Sequence, residues 1–162
     1  MAAPTEADAY AVIAYRDQGQ WQVELLPAVV TADLDALVAA VRQQPPESSA
    51  LALVDVADEF FVAARVQHGA VRLLLSDVTA ALDWDLAAQV LEHLDLDQPE
   101  EEDQDVQPAG DLALFEDLGL DARDMAALLS DLDAYADEML SSLARRLGFA
   151  TAYERVVDAL VQ

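Results

Sequence analysis

The chain has no cysteine and no lysine, only five glycines, and no uncharged apolar run near the roughly 20 residues that cross a bilayer. The missing cysteine excludes disulfides, thiolate metal sites and a cysteine nucleophile together. Without lysine, eight arginines are the whole basic complement, and only Arg145 and Arg146 are adjacent. Phosphates are held by clustered Lys or Arg that release counterions, so direct nucleic-acid binding is not expected. So few glycines form no phosphate-cradling loop, and no serine stands in a nucleophile-elbow pattern. Residues 1–8 carry two acids and no base, unlike a secretion signal; a cytoplasmic protein with no membrane partner is expected.

What the chain has instead is acid. Its 162 residues hold 32 acids against 8 arginines, a net charge of −24. Such charge signals disorder only when hydrophobicity is low. Here 54% of residues are hydrophobic, enough to build a core and carry the charge outside.

Residues 10–15 and 21–26 read as strands joined by an Asp17-Gln18-Gly19 turn; in the second, Trp21, Val23 and Leu25 alternate with polar residues. Thr31 is expected to cap a helix to about Gln43, with Leu34, Leu37, Val38 and Val41 on one face. Residues 51–56, 60–66 and 71–76 read as three more strands, apolar enough to imply burial on both sheet faces. Ser76 or Asp77 then caps a helical stretch, restarting at Asp83, that carries Trp84, Ala87, Ala88, Leu91 and Leu94. The fold class is therefore α+β: a ββαβββα sheet domain in profilin- or longin-like order, followed by a small all-helical C-terminal lobe. Fold-level analogy of this kind says little about function.

The expected organisation is a flexible tail at 1–9, the sheet domain at 10–94, an acidic connector at 95–111 and the helical lobe at 112–162. The connector holds eight acids, two prolines and no base, and like charges keep it extended. In the lobe, Asp121 with Asp124 reads as a capping pair ahead of Met125, Leu128, Leu129 and Leu132. Met139, Leu140, Leu143 and Leu147 form the next stripe, ended by Gly148, and Thr151 with Glu154 fits a capping box for a last helix.

No residue set announces chemistry. Asp95-Leu96-Asp97 opens like a calcium loop but lacks its glycine and distal glutamate. His68 and His93 are isolated and read as structural. No catalytic residue, metal ligand or cofactor is assigned. Of the 32 acids, 22 lie in residues 77–162 and 10 precede them, with four arginines in each part. A basic protein partner would therefore meet residues 95–138 first, with Glu100, Glu101, Glu102, Asp103, Asp105, Asp117, Asp137 and Glu138 as candidate contacts.

The chain also resembles a known family. Trp21 with Val23-Glu24-Leu25-Leu26-Pro27, Asp58-Glu59-Phe60-Phe61, Leu74 to Ala81 with Asp83-Trp84, Gly110-Asp111-Leu112, Asp117-Leu118-Gly119 and Asp137 to Phe149 are similar to the tRNA adenosine deaminase-associated protein family, over residues 10–158. That family is named from gene neighbourhood with the tRNA-editing deaminase and has no established catalytic residues to carry over. The resemblance implies a tRNA-modification context and a candidate partner. A zinc deaminase needs His or Cys ligands and a Pro-Cys-x-x-Cys segment, so this cysteine-free chain is not that enzyme. The leading expectation is a non-catalytic acidic accessory protein that binds the deaminase or another basic protein. The alternatives are a scaffold that forms a homodimer through an apolar sheet face, and a carboxylate-based enzyme with convergent acids in a deep pocket.

Overall fold

The computed structural model describes residues 9–97, 99–100, 106–131 and 134–160. Strand β1 (Ala9–Asp17) turns back into β2 (Gln20–Leu25), with Gln18 and Gly19 both at positive φ as a tight hairpin requires. Helix α1 (Leu34–Arg42) then crosses to β3 (Leu51–Val56). Thr31 does not cap α1. It lies in a 3₁₀ turn (Ala28–Thr31), donates back to the Ala28 carbonyl at 2.7 Å, and leaves the capping to Asp33, which accepts the Asp35 and Ala36 N–H groups.

Strands β3, β4 (Phe60–Gln67) and β5 (Ala70–Leu75) form a meander. Asp77 accepts the Thr79 N–H and opens a 3₁₀ turn (Val78–Leu82), and α2 (Asp85–His93) starts afresh beyond Trp84. The end of the acidic connector is fixed: Ala109–Gly110 is a short strand, β6, on β5. Its glycine is obligatory, because a Cβ at Gly110 would overlap the Leu73 carbonyl. Three helices follow, α3 (Ala122–Leu129), α4 (Ala136–Leu147) and α5 (Ala150–Leu160). Asp121 caps α3 as its spacing predicts, whereas α5 already includes Thr151, so the Thr151–Glu154 pair is not a capping box; Leu132 lies outside the described residues.

The sheet is antiparallel, in the order β2-β1-β3-β4-β5-β6. It is the middle of three layers. One face buries Ala52, Val54, Val62, Leu73 and Leu75 under α1 and α2. The other buries Leu51, Leu53, Phe61, Ala63 and Leu74 under Leu140, Leu143, Leu147 and Phe149 of the C-terminal helices. Each fully buried Leu or Phe of this kind stabilises the fold by about 1.5–3 kcal/mol. The apolar run of β3 is thus explained by helices on both sides.

Candidate functional site

At one end of the sheet the β3–β4 turn meets the first turn of α4. Ala57 and Asp58 are both left-handed there, with φ of 52° and 61°. An aspartate tolerates that conformation and an alanine pays for it. The strained turn aims Asp58 at α4: its carbonyl accepts the Ala136 N–H at 3.3 Å and its Oδ1 accepts the Asp137 N–H at 2.9 Å. The turn therefore caps a helix of the layer above it. Glu138 completes the cap by accepting the Tyr135 N–H at 3.1 Å.

Beneath this turn lies Asp55, only 3% exposed. Its Oδ1 accepts the Asp58 N–H at 2.9 Å. Tyr10, its neighbour across the β1–β3 ladder, meets the Tyr153 hydroxyl of α5 at 2.7 Å. Burial, then the Asp58 carboxylate, pushes Asp55 up to about 7 against the pull of the Asp58 N–H. Burial, then Asp58, also raises Asp137. Burial raises both tyrosines, with Tyr153 adding to the rise at Tyr10. Three elements from two layers are pinned here around one buried carboxyl.

A groove of about 320 Å³ opens beside the turn. Asp58, Glu59, Ser76 and Asp77 line it. Val106, Leu129, Tyr135 and Met139 line it too, and no Lys, Arg or His does. Tyr135 is 64% exposed and Val106 50%. Glu59 Oε2 accepts the Trp84 indole N–H at 2.9 Å, Asp77 Oδ1 accepts from Thr79, and Ser76 Oγ accepts the Phe61 N–H. Gln107, next to Val106, accepts the Val78 N–H at 2.9 Å, so the last residues of the connector are held at this end.

The far end of β4 carries the opposite arrangement. Arg65 and Arg72 face each other across β4 and β5, which alone would repel. Each instead clamps the segment leading to α3. Arg65 is 2% exposed and reaches Asp117 Oδ1 at 2.7 Å, Asp117 Oδ2 at 3.2 Å and the Leu114 carbonyl at 2.9 Å. Arg72 reaches Asp111 Oδ2 at 2.6 Å and the Ala113 carbonyl at 3.2 Å. Arg65 holds the Asp117 carboxyl below the usual range. A cavity of about 770 Å³ at this end includes Arg42, Arg65, His68, Glu47 and Asp117.

The candidate contacts divide accordingly. Asp137 and Glu138 stand at the groove end, in the first turn of α4. Asp117 is at the other end, ion-paired to Arg65. Glu100 is exposed, and Glu101, Glu102, Asp103 and Asp105 lie outside the described residues. Sequence reasoning did not single out Asp55 and Asp77 as contacts, nor Tyr135. The available signal was Asp55, a lone acid in the apolar run Leu-Ala-Leu-Val-Asp-Val. Both sheet faces are covered, so among the described residues there is no bare apolar face for the alternative, a homodimer formed through the sheet. Nor do described His, Asp or Glu residues form a metal-binding group, and no described helix is long and apolar enough to cross a membrane.

Comparison with known proteins gives the context of this geometry. Residues 9–150 match the family model described as Rv3753c-like tRNA adenosine deaminase-associated protein. Protein Rv3753c of Mycobacterium tuberculosis (strain ATCC 25618 / H37Rv) is 39% identical over 155 residues, which cover 94% of this chain and 90% of that protein. No solved structure matches. The chain thus belongs to the Rv3753c-like tRNA adenosine deaminase-associated protein family.

Proposed function

We propose that this protein is a non-catalytic, cytoplasmic accessory protein that docks by charge on a basic protein partner, and that the partner is tRNA adenosine deaminase. The observation that carries this reading is the placement of charge. Acids gather at the β3–β4 turn, just after β5 at Asp77 and at the start of α4, with no cation lining the groove between them, in a family named for association with that enzyme. A tRNA-binding enzyme presents a positive surface, and complementary fields speed encounter and select partners.

The carboxylates have uses that favour binding over catalysis. Asp55, the carboxyl poised near neutrality, is sealed beneath the turn and does not line the groove, so no substrate proton is within its reach. Asp58, Glu59 and Asp77 are held in internal hydrogen bonds. Direct RNA binding is disfavoured further because Arg65, Arg72 and Arg146 are neutralised by Asp117, Asp111 and Asp124. Among the candidate contacts, Glu100–Glu102, Asp103, Asp105, Asp137 and Glu138 carry the docking charge, and Asp117 contributes less because it is paired.

Co-expression of the two proteins followed by affinity purification tests the reading. We expect the deaminase to co-purify in low salt and to be lost at about 0.5 M salt, where the Debye length falls to a few ångströms. Absence of the complex at both salt concentrations would overturn it.

A further inference from the structure

We infer that the groove between the β3–β4 turn and α4 seats an arginine side chain of the protein partner, its guanidinium on Glu59 and Asp77 and its stem along Tyr135 and Met139. The inference rests on the proposed role as a protein-binding accessory and assigns that role a specific contact. Four observations converge on this occupant.

First, two carboxylates have capacity left. Glu59 uses Oε2 for the Trp84 indole and Asp77 uses Oδ1 for Thr79. Glu59 Oε1 and Asp77 Oδ2 accept nothing from the described residues. A carboxylate has room for several donors, and a guanidinium presents five in a planar fork. Second, the internal bonds hold these acids in place before any partner arrives, so little side-chain freedom is lost on binding.

Third, the rest of the lining includes exposed apolar side chains. Tyr135 and Val106 are among the few large hydrophobic side chains that the described surface leaves exposed. An exposed tyrosine beside carboxylates suits an arginine better than a compact ammonium, because the guanidinium plane stacks on the ring while its methylenes cover apolar surface. Fourth, the protein itself offers no cation to fill the groove. The ion pairs among the described residues are Arg65–Asp117, Arg72–Asp111 and Arg146–Asp124, none of them involving a groove acid. The volume of about 320 Å³ suits one long side chain rather than a folded segment.

The test titrates a tetra-arginine peptide into the whole protein and follows backbone amide NMR shifts. We expect shifts centred on Asp58, Asp77 and Tyr135, and affinity reduced about tenfold in the double variant Glu59→Gln, Asp77→Asn and in Tyr135→Ala. Gln and Asn keep the acceptors for Trp84 and Thr79, so the fold is retained, which unchanged thermal melting checks. A tetra-lysine peptide is expected to bind more weakly at the same charge. Shifts spread over the connector, equal affinity for the two peptides, or variants that bind like the wild type would each overturn the groove. A second arm measures deaminase binding by the same variants. If the wild-type protein ignores the deaminase but seats the arginine peptide in the groove, the choice of partner fails and the groove stands. If the deaminase binds every variant equally, the groove is overturned and the partner stands.

Discussion

Asp55 faces Tyr10 from β1, Tyr153 from α5, Asp58 from its own turn and Asp137 from α4, with no described cation among them. Its folded-state carboxyl is raised to about 7, well above the ordinary value near 4. The folded protein therefore holds this proton more tightly than the unfolded chain does. The resulting stabilisation is complete below about pH 4 and is lost as pH rises through about 7. We expect the melting temperature of the wild type, relative to Asp55→Asn, to fall between pH 5 and pH 8. A parallel pH dependence in the two proteins would contradict that placement of Asp55. Asp117 works in the opposite sense: its lowered carboxyl contributes stability that is lost as pH falls through its folded value. Arg65 is the counterpart on the other end of the sheet. Arg65→Ala strands the Leu114 carbonyl and empties a buried site, at a cost of about 3 kcal/mol in denaturant unfolding. Arg65→Lys is expected to recover little, because one ammonium cannot reproduce the fork to Asp117 and Leu114. Neither role could be read at its own position. An acid or arginine inside an apolar strand says only that a partner exists, and Asp117 lies 52 positions beyond Arg65.

At the scale of elements, two short segments bind the layers together. The β3–β4 turn caps α4 through Asp58, and β6 ties the connector to β5 through Gly110. Asp58→Ala removes the side-chain acceptor for Asp137 and is expected to cost about 1 kcal/mol, with faster hydrogen exchange in the first turn of α4. Asp58→Asn keeps the oxygen and should behave much like the wild type. Replacing Gly110 by alanine forces a Cβ into the Leu73 carbonyl at a positive φ, and β6 must detach or β5 must bend. The five long strands were legible in the sequence because periodicity and turn residues agreed. The hairpin at Gln18-Gly19 and the two-face apolar run of β3 are examples. Helix existence was legible too, while two caps were not. Thr31 and Asp33 carry equivalent capping chemistry two positions apart, and only the intervening 3₁₀ turn selects Asp33. The strand β6 was hidden because two residues carry no periodic signal, and its partner is more than 30 positions away.

For the whole molecule, both faces of one sheet are covered by helices and the remaining variable is charge. A net −24 repels itself in the folded state, so we expect added salt to raise the melting temperature by screening. Docking on a basic surface should respond to salt in the opposite direction. The concentration of acid beyond residue 77 was legible from counting alone. Which acids Arg65 and Arg72 pair and which line the groove unpaired was not, because that depends on strand register. The central claim is charge-driven docking on the deaminase, and calorimetric titration of the two purified proteins at low salt and at about 0.5 M salt tests it most directly. We expect saturable binding at low salt that weakens by tenfold or more at high salt. No binding at low salt, or an affinity indifferent to salt, would contradict it.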